Sequence, residues 1–134
     1  MSTGNENVSW SVTPVGRVGL RPDGIVCCEI TPEVEQTPDS ARKNLLAAFR
    51  VAGDRRRPII VDLRGALPLG TSTRRVYTNK DIGQSFSAIA LVIHMDIVSR
   101  SMANVYLHIA KLPVPAKIFS EFSEAVAWVS KRKS

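Results

Sequence analysis

Apolar positions change period several times along the chain, and each change marks an element. Val8-Ser-Trp-Ser-Val12 alternates apolar and polar, the period of a half-buried strand. Arg17-Val-Gly-Leu20 either continues that strand or belongs to the connection after it. Arg21-Pro-Asp-Gly24 reads as a turn, because proline presets φ and glycine takes the positive φ that ends one. The β-branched run Ile25-Val-Cys-Cys-Glu-Ile30 follows, so the chain opens with an antiparallel hairpin or meander. Residues 1–7 are polar and expected to be flexible, and 8–134 form one domain.

Helical spacing begins at Thr37-Pro38-Asp39, an N-cap, a first-turn proline and an early acid. Ala41, Leu45, Ala48, Phe49 and Ala52 keep that spacing up to Gly53, a C-cap. Pro58-Ile-Ile-Val-Asp-Leu63 is a continuous apolar run, the mark of a central strand covered on both faces. A loop over 64–70 leads to a short helix through about residue 80, with Thr71, Ser72 or Thr73 as its cap. Ser87 to Ile93 is the second central strand. Asp96 caps a helix over 96–111 whose Val98, Met102, Val105 and Ile109 share one face. Pro113 and Pro115 stop it, Ala116 to Phe119 is the last strand, and Ser120 caps a final helix burying Ala125, Trp128 and Val129. Strands alternating with helices imply an α/β fold, with a mixed, mainly parallel sheet, an N-terminal antiparallel hairpin and about four helices.

Composition narrows the class without naming a chemistry. An apolar fraction of 44% with 22% charged residues excludes whole-chain disorder. The longest apolar run, Ala88 to Ile93, is far short of the ~20 residues that span a bilayer. Residues 1–7 lack the basic and apolar regions of a signal peptide, so a cytoplasmic location is expected, with no membrane contact. Cys27 and Cys28 are neighbours pointing to opposite sides of a strand, which makes them apolar fillers and not a disulfide or metal pair. Eighteen basic residues against twelve acidic ones give a net charge of +6, clustered at Arg55 to Arg57, Arg74-Arg75 and Lys131 to Lys133. Few aromatics interleave with these clusters, so nucleic acid is not expected as a partner.

No nucleotide-binding, hydrolase or zinc motif occurs, and no enzyme, metal or cofactor is implied. His94 and Asp96 stand at the C-terminal end of a central strand, where open α/β sheets place ligands, and are the candidate ligand-binding residues. The segment Asp62 to Arg75 joins the other central strand to a helix start. Hydroxyls at Thr71, Ser72 and Thr73 are candidates for phosphorylation, which would add about two negative charges to a partner-facing surface. Arg64, Arg74, Arg75 and Tyr77 are the candidate contacts for an acidic protein partner.

Several segments together resemble the STAS family, the anti-sigma-factor antagonists and their small bacterial relatives. They are Asp23-Gly24-Ile25, Pro58 to Arg64, Ala90 to Ile93 with Ser99-Arg100 and Ala103-Asn104, Pro115 to Phe119, and Glu124 to Trp128. The resemblance spans roughly residues 20–130. It implies a STAS-like fold and a non-enzymatic regulatory domain that binds a protein partner, a kinase or other regulator. Antagonists are controlled by phosphorylation at the place matching Thr71-Ser72-Thr73. Their Asp-Ser-(Ser/Thr)-Gly pattern is absent from Leu69-Gly-Thr-Ser-Thr-Arg74. The wider superfamily also implies an alternative, a small-molecule module for a lipid or nucleotide. The exposed second helix and the edge strand 8–12 leave room for a homodimer.

Overall fold

The computed structural model describes residues 7–94 and 114–133. Its six-stranded sheet runs β1 (Ser9–Thr13), β2 (Gly16–Leu20), β3 (Val26–Ile30), β4 (Arg57–Asp62), β5 (Phe86–Val92) and β6 (Ala116–Phe119), in that spatial order. The first three strands form an antiparallel meander, and β3 to β6 are parallel. Helices α1 (Pro38–Ala52), α2 (Thr71–Val76), α3 (Ile82–Ser85) and α4 (Phe122–Ser130) complete the described elements. The helix expected over 96–111, with Asp96, lies outside the described residues.

Residues 17–20 are therefore a separate strand, and the chain reverses at Pro14-Val15. Gly16 makes the return possible. A Cβ there would stand 1.9 Å from the Glu29 carbonyl oxygen on β3, so only glycine allows this approach.

Alternation along the strands divides the core between two faces. On one, Val26, Cys28, Ile59 and Leu91 pack under α1, with Phe86 and Ile82 in the same cluster. On the other, Cys27, Ile60, Ala90 and Val92 meet α4. The two adjacent cysteines thus occupy opposite faces, both buried and neither in a disulfide.

α1 seats itself through buried Ala41, Leu45, Ala48 and Ala52, in steps of three and four, with Asn44 buried on the same side. Its start is a reciprocal cap: Ser40 N donates to Thr37 Oγ1 at 3.1 Å, and Thr37 N donates to Ser40 Oγ at 2.8 Å. α4 buries Phe122, Ala125 and Val129 in the same manner. Each large apolar side chain so buried contributes about 1.5–3 kcal/mol. Trp128 is half-buried and tilts against Phe119, ring centroids 5.7 Å apart.

Two expected caps are corrected. Gly70, not a hydroxyl, holds the N-cap position of α2, and that helix ends at Val76 instead of near residue 80. Glu121, not Ser120, precedes α4, with no side-chain cap bond. In both places the chain enters in extended backbone one residue from the expected hydroxyl, which moves that hydroxyl off the cap. No helix among the described residues is long and apolar enough to cross a membrane.

Candidate functional site

The C-terminal end of β4 starts the region of interest. Asp62 grips Arg64 through Nε at 2.9 Å and Nη2 at 2.7 Å, and its Oδ1 also accepts the Arg64 backbone N–H at 3.1 Å. That hydrogen bonding raises the Arg64 pKa further above its ordinary value. Gly65 follows at φ +81°, where a Cβ would sit 2.9 Å from Pro32. The loop then turns inward to bury Leu69 before α2 begins.

α2 separates its residues into two rows. Thr71, Ser72 and Arg75 are exposed. Thr73 is buried, and its hydroxyl donates to the Gln36 carbonyl at 3.4 Å. Arg74 folds back, donating from Nη1 to the Leu69 carbonyl at 2.7 Å and from Nη2 to Thr71 Oγ1 at 3.2 Å. Its Nε is buried with no acceptor among the described residues.

Tyr77, one turn on, points into the fold. Its hydroxyl donates to Gln36 Oε1 at 2.6 Å and accepts from Asn44 Nδ2 at 3.4 Å. Burial pushes this phenol above its usual range. Asn44 in turn accepts from Thr13 Oγ1 at 2.9 Å, tying β1, α1 and the segment after α2 together.

Behind this inner row lies a cavity of about 120 Å³ between α1, α2, α3 and the sheet. Leu45, Ile59, Phe86 and Leu91 line it, with Asn44, Arg74 and Tyr77 supplying polar groups. Cys28 also faces it, and burial pushes that thiol up to about 11; Cys27, on the opposite face, is pushed up to about 12. Protonated, buried thiols are poor nucleophiles at neutral pH.

Arg64 belongs to a different place. Together with Arg17, Glu29, Asp62 and exposed His94 it lines an open cleft of about 490 Å³ at the C-terminal end of the parallel strands. Its charges meet as ion pairs, Arg17–Glu29 at 2.8 Å and Asp62–Arg64 at 2.7 Å. His94 therefore stands where the sheet was expected to place it, while Asp96 is outside the described residues. Among the described residues no group of histidine, cysteine and acidic side chains could hold a metal ion.

The residues expected to act together are thus distributed. Thr71, Ser72 and Arg75 share one surface, Thr73, Arg74 and Tyr77 face inward, and Arg64 lies with His94. Sequence reasoning missed Asn44 and Gln36. Asn44 carried a signal, being a polar side chain within the apolar stripe Ala41, Leu45, Ala48; Gln36, before the helix, carried none.

The sequence model of a family described as a domain of unknown function, DUF7793, matches residues 19–133. Among solved structures, a protein of unknown function from Arthrobacter sp. FB24 is similar at 26% identity, over 84% of this chain and 97% of that one, with a TM-score of 0.33. Nothing matches among curated proteins.

Proposed function

The chain belongs to the DUF7793 family, and we propose that its domain is a non-enzymatic regulatory module of the STAS type, binding a protein partner through α2 and the loop before it. The two-row division of α2 carries this reading. The inner row fixes the helix through Thr73 and Arg74, while Thr71, Ser72 and Arg75 form a held, polar and exposed surface. A partner with an acidic face would meet Arg75 there in a salt-sensitive contact.

Phosphorylation, as part of this proposal, falls on Thr71 or Ser72. Thr73 is withdrawn because its hydroxyl is buried and bonded. Arg74 Nη2, 3.2 Å from the Thr71 hydroxyl, would hold a phosphoryl group on that residue. The modified surface would then repel an acidic partner. Two buried thiols, neither in a disulfide, suit a reducing compartment, and we take the cytoplasm as its location. The edge strand β1 leaves a place for self-association, which light scattering tests.

The test is partner affinity measured with Arg75→Glu and Thr71→Glu. Both are expected to weaken binding at least about tenfold, with a smaller effect at high salt. Unchanged affinity in both variants would reject the surface. A second reading, a module that binds a small molecule, draws on the cavity behind the inner row.

A further inference from the structure

At the N-terminal ends of the parallel strands the fold gathers three basic clusters that lie far apart in the sequence. The turn Arg21 to Gly24 precedes β3, Arg55 to Arg57 lead into β4, and α4 gives way to Lys131 to Lys133. Two bonds tie them to one face. Lys133 Nζ donates to the Asp23 carbonyl at 2.6 Å, and Arg57 Nη1 donates to the neighbouring Gly24 carbonyl at 3.5 Å. Residues 21–24, 54–57 and 131–133 hold seven basic side chains and two acidic ones, so most of the net charge of +6 sits here.

The way these cations are held sets them apart. Arg17 and Arg64, elsewhere, are matched by carboxylates at 2.8 and 2.7 Å, and in this face Arg21 is matched by Asp23. The others lean on neutral backbone carbonyls. Arg56 Nε donates to Gly83 at 2.9 Å, Arg57 Nε to Ala52 at 3.0 Å, and Arg132 Nη1 to Trp128 at 3.0 Å. A carbonyl orients a cation without cancelling its charge. With Lys133 they make four oriented cations that have no carboxylate in ion-pair reach among the described residues, each with further N–H donors to offer.

We propose that this face binds the phosphate backbone of a nucleic-acid duplex, without regard to base sequence. A guanidinium pairs two N–H donors with one phosphate, and a duplex presents about one negative charge per 1.7 Å of its axis. The interleaved aromatics that the clusters lack serve single strands, whose bases stack on them; a duplex keeps its bases stacked inside and needs none. The large apolar side chains exposed among the described residues, Val12, Leu46 and Leu67, lie on other segments, so nothing here would enter a bilayer. The face uses no residue of α2, so this reading and the partner surface can fail independently.

A short DNA duplex of arbitrary sequence, titrated into the whole chain and followed by fluorescence anisotropy, is the probe. Four phosphate contacts predict a Kd of about 10 µM at about 25 mM KCl, weakening about tenfold for each doubling of salt. Arg56→Gln combined with Lys133→Gln should reduce that dependence to about threefold per doubling. Arg42→Gln with Lys43→Gln, on the exposed side of α1, removes the same charge and should leave it unchanged. Amide shift changes at 21–24, 54–57 and 131–133 of the unaltered chain locate the duplex even if a variant fails to fold. No saturable binding, an equal loss of salt dependence in the α1 control, or shift changes elsewhere would overturn the proposal. Tighter binding to a single strand, to polyglutamate or to vesicles rich in anionic phospholipid would overturn it too, by assigning the face to another partner.

Discussion

Asn44 is the point where the meander, the first helix and the wall of the cavity meet, and removing its side chain tests whether they are coupled. Asn44 and Thr13 are 4% and 9% exposed, and the bond between them is 2.9 Å long. Asn44→Ala deletes that bond, worth about 1 kcal/mol net, and leaves the Thr13 hydroxyl without its acceptor at about 1–3 kcal/mol. The better helix propensity of alanine returns about 0.5 kcal/mol. Tyr77 loses its bond to Asn44 but keeps the shorter one to Gln36. The expected loss is therefore about 2–3 kcal/mol, or a Tm lower by roughly 6–15 °C for a domain of this size. Thr13→Val combined with Asn44→Ala should cost about 1–2 kcal/mol less than the two single changes added together, since neither partner is then stranded. Urea unfolding at unchanged m-value measures all three variants. A loss for Asn44→Ala under about 0.5 kcal/mol, or strict additivity, would refute the coupling.

Three further outcomes are expected. Burial holds the Cys28 thiol at about 11 and Cys27 at about 12, against an ordinary value of 9.0, so the unfolded chain loses these protons first as pH rises. Their contribution is complete below pH 9 and is lost as pH climbs through 11, and unfolding free energy measured at intervals from pH 8.5 to 10.5 should fall, less steeply for Cys28→Ala; a flat wild-type profile would contradict this. Gly16→Ala drives a methyl onto the Glu29 carbonyl and is expected to cost more than about 3 kcal/mol in urea unfolding, whereas a cost below about 1 kcal/mol would mean that β2 and β3 can separate at that point. Arg64→Ala removes a partly exposed ion pair with Asp62 and should change stability by less than about 1 kcal/mol, which the same unfolding experiment checks.

Much of the framework was legible because local signals and packing agree. Thr37-Pro38 starts a helix that Gly53 ends, and Ala116 to Phe119 is a strand at the expected bounds. The continuous apolar run at 58–63 is indeed covered on both faces, Ile59 under α1 and Ile60 against α4. β2 was harder to read because Gly16 and Gly19 depress strand character. Both glycines answer to tertiary contacts, with the Glu29 carbonyl and with Val8, that a local pattern does not contain. The candidate site was read less well for a geometric reason. α2 has six residues, under two turns, too few for a period that separates an inner row from an outer one. Adjacent Arg74 and Arg75 looked equivalent in the sequence, and only the fold directs one back to Leu69 and leaves the other exposed. The separation of Arg64 from the outer row of α2 arises likewise, from an Asp62 pair that holds Arg64 in the cleft at the C-terminal end of the parallel strands.

Site-specific photo-crosslinking in the cell of origin tests the central claim most directly. A photoreactive side chain would be placed at position 72 on the outer row of α2, with position 42 on the exposed side of α1 as the control. The expected result is one recurring protein adduct from position 72 that is absent at position 42 and lost when Arg75 is changed to Glu. Equal adduct yields from both positions, or an adduct at 72 indifferent to Arg75→Glu, would contradict the account.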